Sequence, residues 1–167
     1  EGTDEQRAAR RTNELAYRGP CLSILRQSSV LSTGQMVPCC GVIPFRPGLQ
    51  MGDIRHDTFD EALARAYNDW VFKWIAFEGP VAILRQLTAE TEHPLKDEDF
   101  DGICNACDLL FSSPDYMELL RKALPAKLPS LQLQEEIYSN IGLFEPPTVF
   151  GGAVAARHSR QLPVLPQ

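Results

Sequence analysis

Cysteines stand at positions 21, 39, 40, 104 and 107 of this 167-residue chain, and four of them have a spacing that suits thiolate metal chemistry. Cys104-Asn-Ala-Cys107 is a C-x2-C unit, which offers two sulfurs from one short turn of chain. Cys21 and Cys39 flank a segment with Gly34 at a turn. A hairpin there brings together two cysteines that are distant in sequence. Cys21, Cys39, Cys104 and Cys107 are therefore the candidate metal- and cofactor-binding residues. Four thiolates either close a tetrahedral zinc site or complete a four-cysteine iron–sulfur cluster. Zinc usually collects its ligands from two short-spaced pairs, and here only the second pair is short, so the wide first spacing favours the larger span of a cluster. Cys40 adjoins Cys39, and a vicinal pair rarely turns both sulfurs to one small ion. It is read first as a half-buried thiol, with spare or alternative ligand and redox switch as competing roles. No catalytic residue is assigned.

Other reactive side chains are weaker candidates. His56, His93 and His158 lie in separate segments with no metal-ligand spacing. Trp70, Trp74 and Phe77 are spaced as helix core rather than as an aromatic platform. Arg46, Asp53 and Arg55 are loop charges for which solvation outweighs a substrate role. Asp97, Glu98, Asp99 and Asp101 lack the glycine placement of a calcium loop and read as a solvated acidic stretch.

The elements that must position the cysteines are legible in outline. Residues 3–17 read as a polar helix, closed by Gly19-Pro20. Leu22-Ser-Ile-Leu25, Ser29-Val-Leu-Ser32 and Gln35-Met-Val read as strands around the Gly34 turn, with Pro38 at a strand end and Met51-Gly-Asp-Ile54 as a last short strand. Thr58-Phe-Asp-Glu61 has the capping-box arrangement, and the apolar periodicity from Phe59 to Trp74 predicts one helix ended by Gly79-Pro80. A second helix is predicted over 80–91, then an acidic loop over 92–103. A third helix starts at Ser113-Pro114, and a last one covers Leu131 to Asn140, ended by Gly142. The fold class is α+β: a small antiparallel β-hairpin sheet followed by several α-helices, with the four-cysteine site joining them.

Taken together, the Cys21…Gly34-x4-Cys39 hairpin, Pro38, Met51-Gly-Asp-Ile54 running into the Thr58 helix, and C-x2-C at Cys104 and Cys107 resemble the C-terminal twitch or SPASM domain of radical SAM enzymes. The resemblance covers about half of the chain. It implies one auxiliary [4Fe–4S] cluster on Cys21, Cys39, Cys104 and Cys107. It also implies electron transfer to or from a substrate radical, with help in positioning a peptide or small-molecule substrate. Backbone amides near Cys40-Gly41 and Asn105-Ala106 would tune the cluster. The chain departs from the family in two ways. No cysteine follows Cys107, which implies the one-cluster twitch type, and no C-x3-C-x2-C is present. S-adenosylmethionine would accordingly belong to a missing upstream domain, and the implied partner is a radical SAM barrel in cis or in trans. Whether this chain is itself an enzyme stays open, because it lacks the SAM-cleaving motif. The competing readings are a zinc-stabilised structural or protein-interaction domain on the same cysteines, and a free-standing peptide-binding domain.

Composition bounds these readings. Apolar residues make up 44% and charged residues 23%, ordinary for a globular chain. A net charge of −6 argues against nucleic-acid binding, which needs a basic footprint. Arg7, Arg10 and Arg11 are offset by neighbouring acids. No apolar run is long enough for a membrane span. An odd cysteine count without a secretion signal fits a reduced, cytoplasmic setting better than a disulfide framework. The expected organisation is 1–19 as an outer helix or linker from an upstream domain, 20–125 as the auxiliary-cluster domain, and 126–167 as a C-terminal helix and a mobile Pro/Gly-containing tail. Glu1 at the first position fits an excised or processed chain.

Overall fold

A computed structural model describes residues 18–39 and 46–145, so Cys40, the expected helix over 3–17 and the expected tail after residue 145 lie outside the described residues. The fold is α+β. Strands β1 (Ser29–Val30), β2 (Gln35–Val37) and β3 (Gly52–Asp53) form an antiparallel sheet in the order β1-β2-β3. Ser29 pairs with Val37 and Val30 with Met36, while Gln35 faces Asp53 and Met36 faces Gly52. Gly34 makes the β1–β2 turn at φ +91°, and Pro38 follows directly after β2. Only Leu22–Leu25 departs from the strands expected here. That stretch is a turn, in which the amides of Arg26 and Gln27 both donate to the Ser23 carbonyl (3.2 and 2.9 Å). Leu25 sits at φ +64°, a conformation unfavourable for a bulky residue. It is held there from three sides: its amide donates to the Pro38 carbonyl, the Tyr67 hydroxyl donates to its carbonyl (2.8 Å), and its side chain is buried.

Five α-helices follow. Helix α1 (Phe59–Asn68) begins with the capping box read from sequence: Thr58 accepts from the Glu61 amide, and Glu61 accepts from the Thr58 amide. The single helix expected from Phe59 to Phe77 is two. Asp69 turns its carboxylate onto the amides of Val71 (2.7 Å) and Phe72 (3.3 Å), ending α1 and capping α2 (Trp70–Phe77). A side chain that satisfies the amides of a new helix start competes locally with continuation of the old helix. Helix α3 (Pro80–Thr88) stops three residues short of its expected end.

Helix α4 (Ile103–Ser112) carries the C-x2-C unit, which the sequence placed in a loop and turn. Helix α5 runs from Pro114 to Asn140 without the break expected before Leu131, and so passes through positions 125 and 126. Pro125 and Pro129 lie inside it. Each removes a helical bond at a cost of about 3 kcal/mol against alanine. Both prolines are four apart on an exposed face, as are Arg121 and Pro125, whose carbonyls lose their donors, so water can serve those carbonyls. Burial of Leu120, Leu124 and Leu131 on the opposite face then keeps the helix in register with the core.

The core joins both halves. Met36 from the sheet, Trp74 and Ile75 from α2, Ile83 and Leu84 from α3, Leu110 from α4 and Leu120 from α5 are all nearly inaccessible and belong to one cluster. Trp74, Phe77 and the partly buried Trp70 are core, as their spacing suggests. Polar ties lock α2 to α5. Lys73 pairs with Glu135 at 2.8 Å and Lys127 with Glu78 at 2.7 Å. Burial works to raise the Glu78 carboxyl, but hydrogen bonds from Lys127, Gln86, Trp74 and Gln134 hold it below its ordinary range.

Candidate metal centre

The four cysteines enter one pocket from three separate stretches of chain. Cys21, Cys39, Cys104 and Cys107 line it together with Ser23, Ile24, Leu49, Ile75, Pro80 and Ile103. All four are partly buried. Apart from the cysteines, Ser23 contributes the one polar side chain of this lining.

Each arm is fixed by contacts that can be named. Gly19-Pro20 turns the chain so that the Cys21 amide donates to the Ile75 carbonyl near the end of α2 (3.1 Å). The same carbonyl also accepts from the Gly79 amide (3.0 Å), so the Cys21 arm and the α2–α3 junction share one acceptor. The approach is close: a Cβ on Gly79, at φ +87°, would lie 2.0 Å from the Gly19 carbonyl oxygen. Arg18 donates to the Asp97 carbonyl (2.7 Å) and the Phe100 carbonyl (2.9 Å), tying the Cys21 arm to the loop that leads into α4. Cys39 follows Pro38, whose carbonyl accepts from the Leu25 amide, so the hairpin end is bonded to the turn after Cys21. The gap of eighteen positions between Cys21 and Cys39 in the sequence is thereby closed in space, as the hairpin reading expected.

Cys104 and Cys107 stand three apart at the beginning of α4, so their side chains share one face. A helix start presents amides without intrahelical acceptors and the positive end of the helix dipole, and both favour thiolate over thiol at Cys104 in the first turn but not at Cys107 in the second. Of the amide donors expected to tune the site, Ala106 is already engaged: its N–H donates to the Gly102 carbonyl (3.1 Å) as the first full helical bond. Asn105 lies one position earlier, among the amides that a helix start leaves over. Cys40 and Gly41 lie outside the described residues.

Electrostatics shows how closely the four thiols gather. Burial is the main cause that pushes the Cys107 thiol well up, and the charges of Cys21, Cys39, Cys104 and Asp108 add to it. Four thiolates sharing an apolar pocket repel one another, so an electropositive guest is what would let them ionise together. Among the described residues, no group of three or more His, Cys, Asp or Glu side chains is arranged so that it could hold a metal ion. The cysteines converge as the wall of a pocket rather than as a ready-made coordination shell.

The remaining sequence candidates lie elsewhere. His56 and His93 are exposed, and His158 is outside the described residues. Asp53, expected as a solvated loop charge, is instead a buried residue of β3, and its carboxylate accepts from exposed Arg55 in the turn that follows. Asp97, Glu98, Asp99 and Asp101 are exposed, with Asp97 paired to Arg85 at 2.9 Å. Arg46 does approach the site, but through Asp108, the neighbour of Cys107 (2.8 Å). Sequence reading missed Arg18, Ser23, Tyr67 and Asp108 as supports. Only Asp108 carried a signal, its position beside a C-x2-C cysteine.

Compared with known proteins, the chain matches no protein-family model, no curated protein and no solved structure. Among the described residues, no helix is long and apolar enough to cross a membrane.

Proposed function

We propose that Cys21, Cys39, Cys104 and Cys107 hold one [4Fe–4S] cluster, and that the chain is an electron-transfer module working with a radical SAM barrel in cis or in trans. The observation that carries this reading is the convergence of four cysteines, from the turn before β1, the end of β2 and the start of α4, on one largely apolar pocket.

The donor set suits the group. Four thiolates meet the ligand count of a four-iron cluster, and the helix start favours the ionised form of Cys104. Tetrahedral zinc at about 2.3 Å from each sulfur would draw the sulfurs to within about 4 Å of one another. The pocket wall carries all four cysteines, the donor count that a four-iron cluster takes. The free volume of the pocket is near 40 Å³, room for about three waters. Holding a four-iron cluster would require the four cysteine side chains to move outward.

When bound, such a cluster supplies a one-electron carrier. The chain's own residues supply the rest. Ile24, Leu49, Ile75, Pro80 and Ile103 exclude water, Arg18 and the Ile75 carbonyl hold the Cys21 arm, and the α4 dipole favours negative charge at Cys104. Four cysteine ligands saturate the irons, which favours electron transfer over direct ligation of substrate.

The test is single alanine replacement of each cysteine after anaerobic reconstitution. Iron and sulfide retention should fall sharply for Cys21, Cys39, Cys104 and Cys107 and persist for Cys40→Ala. Equal retention in Cys21→Ala and wild type would overturn the ligand set. Stoichiometric zinc without sulfide would replace the reading with a structural zinc domain.

A further inference from the structure

Arg46 stands seven positions after Cys39, and its Nε donates to Oδ1 of Asp108, the residue that follows Cys107 (2.8 Å). Both side chains are about two-thirds shielded from solvent, at 31% and 33% exposure. The contact continues past the ion pair. Pro47–Leu49 forms a 3-10 turn against α4, where a Cβ on Gly48 would lie 2.6 Å from the Phe111 ring. Leu49 is almost fully buried and forms part of the pocket wall. One turn of α4, from Asp108 to Phe111, is thus clasped by the segment that continues the Cys39 arm.

We propose that Arg46 is a positioning residue, whose bridge to Asp108 latches the 46–49 segment onto the C-x2-C helix and offsets the Asp108 charge beside Cys107. This rests on the cluster reading for its electronic part, but the latch itself concerns the chain alone. A partly shielded ion pair at a helix surface contributes little to global stability. Its consequence is local, because α4 carries Cys104 and Cys107, and the 46–49 segment carries Leu49, to the same pocket. The bridge also matters in charge. An unneutralised carboxylate beside Cys107 disfavours added negative charge at the site, and the guanidinium cancels that field at short range.

The test compares wild type, Arg46→Ala, Asp108→Asn and the swap Arg46→Asp/Asp108→Arg. In reconstituted protein, Arg46→Ala should release iron to a chelator several-fold faster and lower the reduction potential, because Asp108 is left uncompensated. Asp108→Asn should release iron faster but raise the potential. The swap should restore slow release while keeping a raised potential, since the cation now sits beside Cys107. A purely structural role for Arg46 would not give potentials of opposite sign in the two single variants. In metal-free protein, Arg46→Ala should speed amide hydrogen exchange over residues 108–111 several-fold, a readout that does not depend on the charge of Cys107. Wild-type exchange rates in Arg46→Ala overturn the latch whether or not the protein holds a cluster. Absence of iron and sulfide from wild type overturns the cluster reading and leaves the exchange result to decide the latch.

Discussion

Replacing Gly79 by alanine should destabilise the protein and loosen the Cys21 arm. Two effects add at this position. The φ of +87° disfavours any side chain, at about 1 kcal/mol for alanine. The new Cβ would also stand 2.0 Å from the Gly19 carbonyl oxygen, a backbone atom that cannot rotate away. Relief requires the 19–21 segment to move off the junction of α2 and α3, which strains the Cys21 amide bond to Ile75. Overpacking of this kind costs about 1–3 kcal/mol, so the total is about 2–4 kcal/mol. For a chain of this size, that lowers Tm by roughly 5–15 °C. Gly142→Ala is the internal control. Its φ is +69°, but the nearest neighbour of a Cβ is the Glu145 side chain at 3.7 Å. Only the conformational part, about 1 kcal/mol, is then expected. The assay is thermal unfolding followed by circular dichroism, with iron retention measured on the same samples. A Gly79→Ala variant that melts within about 2 °C of wild type would refute the close-approach reasoning.

Further predictions concern capping and pH. Asp69→Ala should cost about 1–2 kcal/mol in urea unfolding through loss of the α2 cap, whereas Asp69→Asn should keep most of it. Burial pushes the Asp69 carboxyl up, against the Val71 and Phe72 amides and Lys73 that favour its charge. A raised folded-state value gives stability that is present at acid pH and lost as pH rises through it. The stability of Asp69→Asn relative to wild type should therefore increase from pH 3 to pH 7, and a constant difference would contradict the assignment. Asp57 behaves oppositely: the Asp53 amide (2.8 Å) and Arg65 (2.6 Å) hold its carboxyl below the ordinary range. Its contribution is present above about pH 4 and lost as pH falls through the depressed value. Asp57→Asn should flatten the acid limb of the stability profile.

Helix starts proved more legible than helix ends and short strands. Thr58-x-x-Glu61 and Ser113-Pro114 announce their helices because the cap lies within four residues of the sequence. The α1/α2 break was local too, but apolar periodicity from Ala62 to Trp74 runs across Asp69 and conceals it. The unbroken α5 was not legible: it contains Pro125 and Pro129, and local propensity cannot register that Leu120, Leu124 and Leu131 bury against the core. Leu22–Leu25 has strand-like composition, yet the Pro38 carbonyl and the Tyr67 hydroxyl bend it into a turn from outside the segment. Type and spacing singled out Cys21, Cys39, Cys104 and Cys107 in the sequence, and all four line one pocket. Their supports were not legible: Arg18, Ser23 and Tyr67 act through contacts that no spacing rule encodes.

The measurement that bears most directly on the site is iron, sulfide and zinc content of the wild-type chain after anaerobic purification and reconstitution, with an EPR spectrum of the reduced sample. About four irons and four sulfides per chain, with a reduced-cluster EPR signal, are expected from four cysteines lining one pocket. One zinc and no sulfide, or no bound metal after reconstitution, would contradict it.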